Sequence, residues 1–216
     1  MRSAALLATV TLAMPAILAA GTVKGRVELL EKGGRKATDL SDVVVYVDGA
    51  KTRPRPARVT MTMKGKSFIP RVVVVPVGGT VDFPNEDPIF HNVFSVSKTA
   101  PFDLGVYDPG RSASVRMERT GLVKVYCNIH PEMAASIVVL ANRWYTLCDR
   151  GGGFVISGIP DGEYVLRAWN DMGAESRRNV KLENGCVMQA PITLEETRHA
   201  LTHTNKFGKP YSGKYR

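Results

Sequence analysis

Four side chains in this sequence have the types and spacing to share one chemical task. Within Val125-Tyr126-Cys127-Asn128-Ile129-His130-Pro131-Glu132-Met133, a thiol, an imidazole and a thioether follow one another as Cys-x2-His-x2-Met. A second imidazole, His91, stands 36 residues before Cys127 in Pro88-Ile89-Phe90-His91-Asn92-Val93, the only histidine upstream of the loop. A soft thiolate, neutral imidazoles and a weak thioether are what a copper ion takes in a trigonal site with a long axial sulfur. On that reading His91 and His130 give nitrogen, Cys127 the thiolate and Met133 the axial donor.

Other chemistries fit these residues less well. A c-type haem attachment needs a second cysteine before the histidine, where Asn128-Ile129 stand. A structural zinc site usually takes more than one thiolate, and Cys148 and Cys186 are distant in sequence. A Cys–His nucleophile needs an oxyanion hole and an orienting third group, and no motif supplies either. Plain packing of a buried cysteine beside a histidine is the remaining alternative.

The surrounding elements give the ligands a frame. From 57 to 141 the sequence reads as short strands at 59–63, 71–75, 80–83, 93–97, 112–117, 122–126 and 136–140. Gly78-Gly79, Pro84-Asn85, Asp108-Pro109-Gly110 and Thr120-Gly121 punctuate them. About seven such strands argue for a sandwich or barrel, and no segment has a convincing helical period. Cys127 then closes one strand and His91 precedes another, so two strand ends meeting at one pole would carry the ligands. Met61, Met63, Met117, Met172 and Met188 are expected as core fillers, and His199 and His203 as tail residues.

The flanks are also β in character. Residues 22–27 alternate, and Val43-Val44-Val45-Tyr46-Val47 is a β-branched run closed by Asp48-Gly49. Lys51-Thr52-Arg53-Pro54-Arg55-Pro56 is stiff and basic and reads as a linker. After Asn142, Gly151-Gly152-Gly153-Phe154-Val155-Ile156 leads into a turn at Gly158-Ile159-Pro160-Asp161-Gly162. Strands follow at 164–169, 179–182 and 187–194, the last two expected as a hairpin about Glu183-Asn184-Gly185.

The run from Asn85 to Val93, taken with Tyr126 to Met133, resembles the cupredoxins, the plastocyanin and amicyanin group of blue-copper proteins. The Cys-x2-His-Pro-x-Met form is similar to the short amicyanin loop. The resemblance covers residues 57–141 and implies a Greek-key sandwich holding one type 1 copper through His91, Cys127, His130 and Met133. It also implies that Asn92, after the first histidine ligand, pins the cysteine loop. Residues 21–50 and 142–196 more loosely resemble a split carboxypeptidase regulatory-like, or transthyretin-like, sandwich into which the cupredoxin is inserted. A simple N-terminal extension with a separate β tail is the alternative. The expected fold class is all-β.

Bulk properties bound the setting. Residues 1–20 have one positive residue, Arg2, an apolar stretch from Ala4 to Leu18 and small residues Ala19 and Ala20, the pattern of a secretory signal peptide. No later stretch is long and apolar enough for a transmembrane helix, so the mature form is expected to have none and to be periplasmic or otherwise exported. The formal net charge is +9, with five Lys/Arg and no Asp or Glu in the basic tail at 197–216. Outside the cytoplasm that charge points to an acidic protein partner or an anionic membrane surface rather than nucleic acid. Phe207, Tyr211 and Tyr215 are expected to lay the tail on the domain surface.

Three cysteines in an oxidising compartment divide most simply into a Cys148–Cys186 disulfide and one working thiol, Cys127. Such a bridge would contribute roughly 4 kcal/mol in the chain-entropy model; two free buried thiols are the alternative. The function expected is carriage of single electrons between redox protein partners through Cu(I)/Cu(II), without enzyme turnover. Copper delivery, or a β-sandwich interaction protein with a structural metal, are the alternatives.

Overall fold

The computed structural model describes residues 20–49, 54–172, 175–197 and 203–211, and every regular element among them is a β-strand. No helix among the described residues is long and apolar enough to cross a membrane. Residues 1–19 of the expected leader, 51–53 of the expected linker, His199 and Tyr215 lie outside them.

The chain begins with β1 (Ala20–Leu30) and β2 (Val44–Asp48). There follow β3 (Arg58–Thr60), β4 (Thr62–Met63), β5 (Phe68–Ile69), β6 (Val72–Pro76) and β7 (Thr80–Pro84). Next come β8 (His91–Ser95), β9 (Phe102–Tyr107), β10 (Ser112–Arg116), β11 (Gly121–Tyr126) and β12 (Ala134–Leu140). The last are β13 (Tyr145–Leu147), β14 (Gly153–Pro160), β15 (Gly162–Trp169), β16 (Glu175–Leu182), β17 (Val187–Gln189) and β18 (Ile192–Glu195).

The sheets stack in four layers. A three-stranded sheet β10-β7-β3 faces a five-stranded sheet β6-β12-β11-β8-β9. Val81 and Phe83 of β7, Val123 and Val125 of β11, and Met61, Met63 and Met117 fill the space between them. A four-stranded sheet β13-β2-β15-β16 packs on the other face of the five-stranded one and in turn covers a sheet built on β1. In that last sheet β14 is antiparallel to β1, while β17 and β18 both run parallel to it on successive stretches. A side chain at Gly25 would overlap the Ala190 carbonyl between those two strands, so glycine is required there.

The middle of the stack explains the apolar run Val72-Val73-Val74-Val75. Successive side chains of a strand point to opposite faces, so a strand covered on one face alternates apolar with polar. One covered on both faces is apolar throughout. Val73 and Val75 enter the core shared with β7, whereas Val72 and Val74 enter a second core with Val44 of β2. β12 divides in the same way: Ala135, Ile137 and Val139 on one side, Val138 and Leu140 on the other. Tyr46 and Trp169 pack against this second core from the flanking sheet.

A buried ion cluster fixes that contact. The Asp171 carboxylate, just after β15 and wholly buried, accepts from Lys124 Nζ of β11, from Ser136 Oγ of β12 and from Arg71 Nη1 at 3.4 Å. Arg71 also reaches Asp42 from the flanking side, at 3.0 Å, and Lys124 sits 5.8 Å from the Trp169 ring centre.

Four expectations need correction. β16 and β17 do not form a hairpin: Asn184 and Gly185 take the positive φ of a tight turn, but β16 pairs with β15 while β17 crosses to β1. The turn expected at 158–162 shrinks to Asp161, because β14 runs through Pro160 and β15 resumes at Gly162. β9 was not foreseen, since Pro101, Asp103 and a left-handed Gly105 (φ 75°) read as loop. Finally, Cys148 and Cys186 are both free. Different strands hold them: the Cys148 amide donates to Val43, whereas the Cys186 carbonyl accepts from Thr22 on β1. Burial, with Asp149 beside it, pushes the Cys148 thiol up to about 12, so it sits in the core as a protonated side chain.

Two outcomes are expected. Asp171→Ala removes the carboxylate that Lys124, Ser136 and Arg71 share and is expected to cost about 3–5 kcal/mol in urea unfolding, as breaking a buried pair does; a loss within experimental error would mean the cluster holds nothing. Alkylation and mass spectrometry of the whole chain, freed of metal, is expected to find three free thiols, and a peptide linking Cys148 to Cys186 would contradict this.

Candidate metal centre

β8 and β11 are antiparallel and meet at Phe94 and Tyr126. That register sends the start of β8 and the end of β11 to the same pole of the five-stranded sheet. His91 is the first residue of β8, and Cys127 directly follows β11. The loop after Cys127 then folds back: the Met133 amide donates to the His130 carbonyl, and the Cys127 amide donates to the Met133 carbonyl at 3.2 Å.

The result is a convergence of electron-rich atoms. Cys127 Sγ lies 3.9 Å from His91 Nδ1 and 3.7 Å from His130 Nδ1, and the two Nδ1 atoms are 3.1 Å apart. His91, Cys127 and Met133 are buried and His130 is half-buried. Bonds of about 2.0–2.3 Å place two donors on one ion no more than about 4.4 Å apart, and all three separations fall inside that limit. Of the four residues singled out from sequence, His91, Cys127 and His130 thus form one group able to hold a metal; Met133 is buried in the same loop.

Protons are arranged to leave the donor atoms free. His91 Nε2 lies 2.8 Å from Asp87 Oδ2, so its proton belongs on Nε2 and the Nδ1 lone pair faces Cys127 and His130. Burial alone would raise the Asp87 carboxyl. The Lys66 amide, the His91 ring and the Gly65 amide outweigh it and hold Asp87 below the usual carboxylate range, an anion at neutral pH. Burial and the neighbouring His91 hold His130 below the ordinary imidazole value, which favours the neutral form a metal needs. The Ile129 amide points at Cys127 Sγ from 3.4 Å.

Asn92 occupies the pinning position. Its Oδ1 accepts from the Asn128 amide at 3.2 Å, and its Nδ2 donates to Asp103 Oδ1 and to the Gly105 carbonyl, each at 2.8 Å. The unforeseen β9 therefore supplies the anchor for the residue that braces the loop.

No family model matches the chain, and no curated protein does. Solved structures do. A purple cupredoxin from Nitrosopumilus maritimus is similar over 38% of this chain and 99% of its own, at 22% identity and a TM-score of 0.35. Amicyanin, in a Cu(I) mutant form, is similar over 44% of this chain and 98% of its own, at 19% identity and a TM-score of 0.37. A copper-containing nitrite reductase from Thermus scotoductus SA-01 covers 43% of this chain at 34% identity, with a TM-score of 0.37, and this chain spans 24% of its length. Each of these likenesses covers less than half of this chain.

Sequence reasoning missed Asp87, although it lies four residues before His91 within Asn85-Glu86-Asp87-Pro88. A carboxylate at that distance is a signal for an orienting partner, because ligating histidines usually donate their second N–H to such a group. Tyr211 was expected only to touch the surface, yet its hydroxyl donates to the Cys127 carbonyl at 2.8 Å. Phe207, by contrast, is 71% exposed. Replacing Asp87 with asparagine is expected to weaken metal binding about 10–100-fold, the usual effect of losing such a partner, measured by competition with a chelator. Unchanged affinity would show that Asp87 only packs.

Proposed function

We propose that this chain is a type 1 copper protein that carries single electrons between redox partner proteins. Bound copper would supply a one-electron couple, Cu(I)/Cu(II). The observation that carries the reading is the meeting of two imidazole nitrogens and one thiolate within 3.1–3.9 Å at the pole of a rigid sandwich.

His91, Cys127 and His130 would hold the ion, with Met133 as the weak fourth donor. The chain's own part is to fix and shield them. Asp87 holds the His91 ring in one tautomer, Asn92 holds the amide that follows Cys127, and burial of His91, Cys127 and Met133 keeps water from the sulfurs. Donors fixed in this way move little when the charge on the ion changes. That favours electron transfer over delivery of the ion, which would need exposed, exchangeable sulfurs.

The wider assignments belong to the same proposal. Export through the leader at 1–20 would place Cys127 where copper is loaded after translocation. The excess of Lys and Arg favours an acidic partner, chiefly through encounter rate. The pairing of β1 with β14, β17 and β18, and of β2 with β13 and β15, supports residues 57–141 as an insert in a split sandwich, whose part would be to brace the copper unit.

Addition of Cu(II) to the purified protein is expected to give an intense visible thiolate-to-copper band and a narrow-hyperfine EPR signal. Both should vanish in Cys127→Ser, and voltammetry should be reversible. A colourless protein that holds Zn(II) as tightly would refute the proposal.

A further inference from the structure

The segment 203–211 is tied to the loop that carries Cys127 by a set of directed contacts. Tyr211 has one hydroxyl proton, and it goes to the Cys127 carbonyl at 2.8 Å. His203 Nδ1 must then be the donor to Tyr211 Oη at 3.1 Å and to the Thr204 carbonyl at 3.2 Å. The His203 ring stacks on Tyr126, the residue before Cys127, with ring centres 4.0 Å apart and planes 24° from parallel. Tyr211 meets the His203 ring edge-on, with ring centres 5.2 Å apart.

Lys206 makes the second attachment, and it closes a circuit. Its backbone amide donates to Asn128 Oδ1 at 3.0 Å, and its ammonium donates to Asp103 Oδ2 at 2.6 Å. Asn128 donates its own amide to Asn92, and Asn92 donates to Asp103 Oδ1. Lys206, Asn128, Asn92 and Asp103 therefore form a ring of four hydrogen bonds around the residue next to the thiolate. The segment is shaped to do this. Asn205 Oδ1 accepts from the amides of Phe207 and Lys209, and the Asn205 amide donates to the Lys209 carbonyl, which folds residues 205–209 into a tight turn.

These contacts act on the loop in two ways. A donor on the Cys127 carbonyl polarises the Cys127–Asn128 peptide and strengthens the Asn128 N–H as a donor to Asn92. Gripping Asn128 by amide and side chain from opposite sides also removes the freedom the backbone needs to turn Cys127 Sγ away from the two imidazoles. We propose that residues 203–211 are a working part of the metal centre. They brace the loop from outside and thereby set how tightly the thiolate is held and how long the ion stays. Tyr211 and Lys206 are positioning residues; neither touches the ion.

The inference rests on the copper reading, and its test separates the two. Full-length Tyr211→Phe and Lys206→Ala are compared with the parent and with Val155→Ala, which alters an exposed side chain on the distant β14. In the metal-free protein, amide exchange at Asn128 and Ile129 is expected to quicken about fivefold in the first two variants, as loss of one net hydrogen bond implies. It should be unchanged in Val155→Ala.

With copper, those two variants should release Cu(I) to a chelator about fivefold faster. They should also shift the visible band and the EPR hyperfine splitting. A segment that merely stabilises the fold would leave the release rate and the spectra alone, which overturns the inference. So would Tyr211→Phe and Lys206→Ala variants that match the parent in exchange, release and spectra. If the parent takes no copper, the proposed function fails, and the amide exchange still decides whether the brace exists.

Discussion

Burial of one sheet on both faces is the constraint on which the rest of this structure depends. β6 and β12 give alternate side chains to two different cores, so neither strand has a solvent side. At about 25 cal/mol per Å2 of apolar surface removed from water, such strands are the hardest parts of the molecule to displace. Everything else is arranged about them. β7 and its neighbours close one face, and β2 and β15 close the other, locked by the Asp171 cluster. The clustered charge on that second interface is what two apolar sheets alone lack, a contact that sets their lateral position.

The metal donors inherit this stiffness by where they attach. Cys127 leaves the end of β11, which is paired to β12 along its whole length, and His91 opens β8 beside it. Both first donors are therefore on or next to a ladder rather than in a free loop. What is left to loops is corrected by hydrogen bonds. Asp87, itself held by two amides of the turn at 65–66, aligns His91, and Asn92 aligns the residue after Cys127. Rigid supports of this kind place side chains more accurately than the loop sequence could alone.

Much of this was legible in the residues. Residue types and spacing singled out His91, Cys127 and His130, which the fold brings together, because metal chemistry restricts donors more narrowly than folding restricts apolar side chains. Strand positions were legible wherever β-branched runs stood between turn residues, as at 72–75 and 122–126. What was hidden is instructive. The run at 71–75 was expected only as a strand, and nothing local says that a second sheet will cover its other face. Asn184-Gly185 specified a tight turn and not the destination of the chain beyond it, which is a tertiary choice. The cysteine count suggested a bridge, yet counting cannot see that Cys148 and Cys186 hang from different strands. β9 was masked by its own Gly105, and with it the anchor of Asn92. Contacts from the C-terminal segment were invisible for the plainest reason: its polar composition describes a solvated tail, and only the folded loop supplies partners for it.

Sharing β6 and β12 between two cores has a consequence for how the molecule would respond to a bound ion. A ligand that binds only the native state stabilises it by mass action, by about 4 kcal/mol at a thousandfold excess over its dissociation constant. In a chain of separable domains that stabilisation would stop at the boundary of the binding unit. Here the first core cannot come apart without stripping β6 and β12 from the second, and the second is closed by strands from both ends of the chain. Saturation of a site at one pole would thus be felt as slower opening of a sheet two layers away. The flanking strands would then report on the metal they never touch.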